Sequence, residues 1–187
     1  MFKKTSRQKE VIKQIAHSKA TDVCLFGGSR SAKTFTNVYM IICRAIKCKS
    51  SHLITRDTFA SAKASIWQDT LPKCLEIAFP DLPYQTNNTD HFVTLPNGSR
   101  IKIAGLDDAK RVEKLLGQQY STLMVSEANQ VPMTAVNRLK TRLAEKNELK
   151  KKVFYDLNPP KTSCWTYQLF HQKVDPIDNE ALDNPED

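Results

Sequence analysis

Eight residues, Gly27-Gly28-Ser29-Arg30-Ser31-Ala32-Lys33-Thr34, follow the apolar run Val23-Cys24-Leu25-Phe26. After them Phe35, Val38, Ile42, Ala45 and Ile46 recur at helical spacing. A buried strand, a tight loop and a helix in that order form a phosphate-binding loop, whose general pattern is G, four residues, G-K, then S or T. Backbone N–H groups of such a loop and of a helix N-terminus point at phosphate oxygens. Lys33 would add a point charge at the β/γ-phosphates, and the Thr34 hydroxyl would ligate Mg²⁺. Ala32 stands where a second Gly is usual, an exchange expected to work only if φ there is negative. The plainer alternative is a strand–turn–helix connection with a Lys at the helix start.

A chain of 187 residues suits one domain and can bury a core without disulfides or metal. Its five Cys form no C-x-x-C pair, which fits reduced thiols in an intracellular protein. The start, Met1-Phe2-Lys3-Lys4, does not lead into the apolar segment of a signal peptide, and no apolar run approaches a membrane span. Net charge is +8, unevenly spread. Residues 175–187 hold six acids and no base, so the first 174 residues set 28 basic against 14 acidic side chains, a net +14. Such a body suits a polyanionic partner, most simply nucleic acid, although solubilising charge gives the same count. With 8% aromatics and no aromatic–basic interleaving, contact with phosphates is expected rather than base stacking.

Residues 7–18 place Val11, Ile12 and Ile15 on one helical face. After the loop helix, to about Cys48, residues 52–55 predict a strand. Asp57 or Thr58 would cap a helix through Trp67, and Pro72 would start another piece ending near Phe79. Residues 91–95 and 100–104 flank Pro96-Asn97-Gly98-Ser99 as a hairpin. Residues 107–116 read as a helix, 121–125 as a strand, 132–145 as a helix, 152–157 as a strand and 163–172 as a final helix. The alternation predicts a mainly parallel sheet flanked by helices, with a β-hairpin insertion. Ligands bind such sheets at the carboxyl ends of the strands. The domain is expected over 1–174, with an acidic, linker-like tail over 175–187.

Two further strand ends carry chemistry. Thr122-Leu123-Met124-Val125 ends in Ser126-Glu127. Phosphate-loop ATPases with an added strand usually carry Asp-Glu there, the Asp facing Mg²⁺ and the Glu activating water. Here Ser126 replaces the Asp and could face the metal only indirectly, through water. Glu127 remains, and it also fits a cap of the next helix. Val153-Phe154-Tyr155-Asp156-Leu157 ends in Asn158, whose amide could sense the γ-phosphate or simply form a turn before Pro159. Arg30 could reach the γ-phosphate or be a solvated loop charge.

The ordered set resembles the large terminase subunit of tailed bacteriophages, in its N-terminal packaging ATPase. The matching pieces are Arg7-Gln8, the loop 27–34, Asn97-Gly98-Ser99 with Gly105-Leu106-Asp107-Asp108, Glu127-Ala128-Asn129-Gln130, and Asn158-Pro159-Pro160 with Trp165-Thr166-Tyr167. The resemblance implies an α/β P-loop NTPase of the added-strand, catalytic-glutamate class (ASCE). Its function would be ATP hydrolysis that drives double-stranded DNA into a procapsid, without sequence preference. ATP and Mg²⁺ would be the cofactors, and Gln8 would read the adenine edge. Partners would be the portal, the small terminase subunit and further copies in a ring, with the isolated domain monomeric. The setting would be the host bacterial cytoplasm and, transiently, the portal vertex, with no membrane. Such proteins continue into an RNase H-like nuclease domain. This chain matches only the ATPase half, so no nuclease activity is expected of it. A helicase-like ATPase, a nucleotide-gated DNA-binding module without turnover, and a small-molecule kinase are the rival readings.

Overall fold

Along the middle strands, side chains alternate between two apolar clusters. Ile54, Met124 and Phe154 enter one, and their chain neighbours Leu53, Leu123, Val125, Val153 and Tyr155 enter the other. This period of two builds a sheet covered on both faces. A computed structural model describes residues 3–28 and 30–182. Seven strands lie in the order β1-β7-β6-β2-β5-β4-β3. They are β1 (Asp22–Phe26), β2 (Ser51–Arg56), β3 (Gln85–Asn87), β4 (Phe92–Thr94), β5 (Arg100–Gly105), β6 (Thr122–Ser126) and β7 (Lys152–Leu157). The β1, β7, β6, β2 and β5 neighbours pair in parallel, and β3, β4 and β5 form an antiparallel meander at one edge. Strand β7 is inserted between the loop strand β1 and β6, which gives the P-loop NTPase fold of the added-strand class.

Helix α1 (Ser6–His17) and the loop helix α2 (Lys33–Lys47) cover one face through Ile15, Val38, Ile41 and Ile42. A long helical stretch joins them: α3 (Phe59–Ala62), a π-helical segment (Lys63–Thr70) and α4 (Leu71–Ala78). The Thr58 side chain caps it, accepting from Ser61 N. Pro72 does not break this stretch. It has no N–H to donate, and the wider register, in which Leu71 N–H reaches Ile66 O, precedes it. Helices α5 (Ala109–Leu116) and α6 (Met133–Lys140) cover the other face through Leu115, Val136 and Leu139. Each fully buried Leu or Ile contributes roughly 1.5–3 kcal/mol.

The turn Pro96-Asn97-Gly98-Ser99 has a second use. Asn97 Nδ2 donates to Ala45 O at 2.8 Å, and Ser99 Oγ donates to Ala45 O at 2.7 Å and Cys48 O at 3.1 Å. These bonds take up carbonyls left free in the last turn of α2. Gly105 ends β5 against the start of α3, where an added Cβ would lie 2.0 Å from Phe59 N.

Two sequence expectations are corrected. The helix after Pro132 stops at Lys140 instead of about Glu145. Glu145 turns inward, and its carboxylate accepts from Ser51 N at 2.8 Å, Ser51 Oγ at 2.9 Å and Ser121 Oγ at 2.6 Å. The final helix is short, α7 (Trp165–Tyr167), and continues as a π-helical turn, Gln168–Gln172. In the described part of the tail, Val174 bridges Ala181, and Asp175 N donates to Glu180 O at 2.8 Å. Its acids Asp183, Glu186 and Asp187 lie outside the described residues.

Candidate active site

The loop strand ends at Phe26, and the chain turns through two left-handed residues, Arg30 (φ 61°) and Ala32 (φ 57°), into α2. The expectation of a negative φ at residue 32 is therefore wrong. The backbone keeps the conformation a Gly would adopt, and the Ala Cβ is accommodated at a cost of about 1–2 kcal/mol. The Lys33 ammonium curls back over the loop. It donates to Gly27 O and Gly28 O, each at 2.9 Å, to Ser31 Oγ at 3.1 Å and to Asn158 Oδ1 at 3.3 Å. Beside the loop, a groove of about 330 Å³ is lined by residues 30–35 and by Asp69, Thr70 and Lys73. The last three come from the end of the π-helical segment and the start of α4, and nothing in their local sequence marks them. Ser29 lies outside the described residues.

Strands β6 and β7 bring their ends to the same edge. Ser126 pairs with Asp156 in register. The Ser126 hydroxyl donates to Asp156 Oδ1 at 3.1 Å, and Glu127 N donates to the same oxygen at 3.2 Å. Asp156 is only 2% exposed, and its Oδ2 is buried without a hydrogen-bond partner. Burial pushes this carboxyl above the usual carboxylate range. The Glu127 N–H, the Ser126 and Thr34 hydroxyls and the Lys33 charge pull the other way. Asn37 Nδ2, fully buried on α2, donates to Tyr155 O at 3.1 Å and ties the loop helix to β7 one residue before Asp156.

Glu127 itself is left-handed (φ 52°), a strained conformation for a residue with a Cβ, and it is held by its backbone bond to Asp156. Its carboxylate forms an ion pair with Arg56 at the end of β2. The Arg56 side chain is mostly buried and also donates to Ser65 Oγ at 2.5 Å. Glu127 is thus held at both ends. The segment after it is clamped by Trp165, whose Nε1 donates to Val131 O at 2.9 Å.

The fold brings Lys33, Thr34, Ser126, Glu127 and Asn158 to one edge of the sheet. Gln8 has a structural use: its Oε1 accepts from Thr5 N at 3.0 Å while Thr5 Oγ1 accepts from Gln8 N, a capping box at the start of α1. Arg30 is exposed on the loop. Asp156 and Arg56 are the residues that sequence reasoning missed. Each acts through a partner on a neighbouring strand, a relation with no local signal. The lysines just before and within β7 divide by burial. Lys146 and Lys150 are exposed, whereas Lys152 is buried and donates to Ser18 O at 3.0 Å and to Ala20 O.

The model of the phage terminase large subunit family matches residues 19–187. The PBSX phage terminase large subunit of Bacillus subtilis (strain 168) is 27% identical over 150 residues, which are 78% of this chain and 33% of that protein. The large terminase from a thermophilic bacteriophage superposes with a TM-score of 0.77 at 14% identity, over 90% of this chain and 42% of that one. The ATPase domain of the Thermus phage P74-26 large terminase superposes with a TM-score of 0.59 at 16% identity, over 93% and 76%. This chain therefore spans about a third of the curated relative and under half of the first of these structures.

Proposed function

This chain belongs to the phage terminase large subunit family, and we propose that it is an ATP-hydrolysing motor domain that drives double-stranded DNA into a procapsid. The observation that carries the reading is the convergence of the loop Lys33, the strand-end pair Ser126-Glu127 and Asn158 on one edge, with Lys33 Nζ 3.3 Å from Asn158 Oδ1. A structural relative, the thermophilic phage large terminase, has been seen in complex with ATP-gamma-S, at a TM-score of 0.66.

In this reading residues 27–34 cradle the phosphates, with Lys33 on the β/γ-phosphates. Glu127 takes a proton from the attacking water, and Arg56 holds it in position. Asn158 ties the nucleotide's state to β7, and Arg30 faces the γ-phosphate from the loop. Gln8 meets the adenine with its amide N–H₂, since its carbonyl is occupied by the cap. Among the described residues no group of three or more His, Cys, Asp or Glu could hold a metal alone. That fits Mg²⁺, which is usually held by one or two protein oxygens and the substrate phosphates. The Thr34 hydroxyl and the buried Asp156 carboxyl on which it bears are such a donor set. When bound, Mg²⁺ neutralises charge on the β- and γ-phosphates.

The partners in this reading are duplex DNA, the portal, the small subunit and further copies in a ring at the procapsid vertex. Relatedness to a family of packaging proteins and the basic body support it. The test is ATP hydrolysis with and without blunt duplex DNA, beside a strand-separation assay. Stimulated hydrolysis without unwinding is expected. Unwinding would make the chain a helicase-like ATPase, and binding without turnover would make it a nucleotide-gated module.

A further inference from the structure

The Mg²⁺-facing acid that β6 lacks is present on the next strand. Residue 126 is a Ser, and its hydroxyl hydrogen is directed at a carboxylate, not at the loop. That carboxylate, Asp156, occupies the position paired with Ser126 across the β6–β7 ladder. Two donors, the Ser126 hydroxyl and the Glu127 N–H, both fall on Oδ1 and fix the rotamer. Oδ2 is left buried and without a partner. An unpaired carboxylate oxygen in a dry site is costly unless something meets it. The Thr34 hydroxyl and the Lys33 ammonium are the loop groups that bear on this carboxyl. A formal charge beside the loop threonine is what a Mg·nucleotide site requires and what a Ser dipole does not provide.

We infer that Asp156 is the metal-facing acid of this site, directly or through one water, and that Ser126 serves to orient it. The inference rests on the nucleotide-site reading above. It assigns the end of β7 two roles at once, since Asp156 lies in the strand and Asn158 is the first residue beyond it. An acid at residue 126 would not simply add to this site. With Asp156 3.1 Å from the residue 126 side chain, Ser126→Asp would set two carboxylates against each other and force one to stay protonated.

The test measures ADP affinity against Mg²⁺ concentration, a readout independent of turnover. Asp156→Asn keeps the acceptor for Ser126 and Glu127 and loses the charge. It should bind ADP without metal as the wild type does, and need about 10- to 100-fold more Mg²⁺ for the metal-dependent tightening. The double variant Ser126→Asp with Asp156→Asn moves the charge one strand over and should restore most of that loss. An unchanged Mg²⁺ dependence in Asp156→Asn would overturn the inference while leaving the nucleotide site intact. Wild-type protein that binds no ADP at all would overturn both. A third measurement needs no variant. Fe²⁺ with ADP, ascorbate and hydrogen peroxide should cut the wild-type backbone beside Thr34 and Asp156, and cutting near Thr34 without any near Asp156 would count against it.

Discussion

Lys33 on the loop helix and Asn158 beyond β7 are 125 residues apart in the chain and 3.3 Å apart in space. Their contact joins the loop that would bind the phosphates to the strand end that would register the nucleotide. Lys33 also holds two loop carbonyls, so it both closes the loop and carries its charge. Lys33→Ala should cut ATP turnover by at least about 10²-fold, the scale of losing one preorganised charge donor. Turnover within a few-fold of wild type, measured by phosphate release, would remove the phosphate-loop assignment.

Glu127 and Arg56 separate chemistry from positioning. Glu127→Gln keeps size and loses the proton acceptor, so ATP should still bind while kcat falls by about 10²–10⁴-fold. Arg56→Ala leaves the acid in place but frees its carboxylate and removes the bond to Ser65. It should lower kcat less than Glu127→Gln and leave the KM for ATP within a few-fold. Loss of ATP binding in Glu127→Gln would make Glu127 a structural residue or a metal ligand.

Ala32 gives a test of stability free of catalysis. Its φ of 57° is one that Gly adopts without steric cost. Ala32→Gly relieves strain of about 1–2 kcal/mol and gives back about 0.4–1 kcal/mol through the looser unfolded chain. A net gain between about 0 and 1.6 kcal/mol is expected, at roughly 2–4 °C in Tm per kcal/mol for a chain of this size. A fall in Tm would mean that the Cβ makes contacts that outweigh the strain.

Much of this arrangement was legible because it is local. Strand β7 runs from Lys152 to Leu157 as its apolar pattern predicts, and Gly27 to Thr34 marks the loop without any tertiary knowledge. What escaped depends on register or on inward turns. Asp156 reads as one polar residue in an apolar strand until β6 is laid beside it. Glu145 continues a helical pattern on paper, but three donors at the starts of β2 and β6 draw it out of the helix. Pro72 stands in the first turn of α4 as its sequence predicts, but the π-helical segment before it, which joins α4 to α3, has no such mark. Gln8, besides its motif match, also caps its own helix.

His52 predicts how stability depends on pH. It is fully buried on β2, with Nε2 2.9 Å from Ser50 Oγ and Nδ1 without a partner. Burial above all, and then the charge of Arg44, lower its pKa from 6.5 to about 3. The unfolded chain therefore binds a proton at this site below about pH 6.5 that the folded chain refuses until about pH 3. The contribution of the neutral ring is fully present above pH 6.5 and is lost as pH falls through this window. Urea midpoints should drop between pH 7 and 5, before most carboxylates titrate, and His52→Gln should flatten that drop. Equal slopes in the two proteins would mean that His52 is not held neutral.

DNA binding tests the basic body. It should be weak, indifferent to sequence and steep in salt, because each phosphate contact releases counterions and adds about −0.9 to the slope of log K against log salt. The lysines near β7 divide by burial. Lys146 and Lys150 are exposed and can reach a phosphate. Lys152 spends its ammonium on the carbonyls of Ser18 and Ala20, and burial lowers its pKa. Charge-removing changes at Lys146 and Lys150 should therefore reduce the salt slope and leave the urea midpoint unchanged. Lys152→Met should do the reverse, lowering stability by about 1–3 kcal/mol through the two stranded carbonyls while the salt slope stays as it was. A Lys152→Met protein of wild-type stability that has lost DNA affinity would contradict the burial of this side chain. Binding that survives high salt or prefers one sequence would contradict a contact made to phosphates.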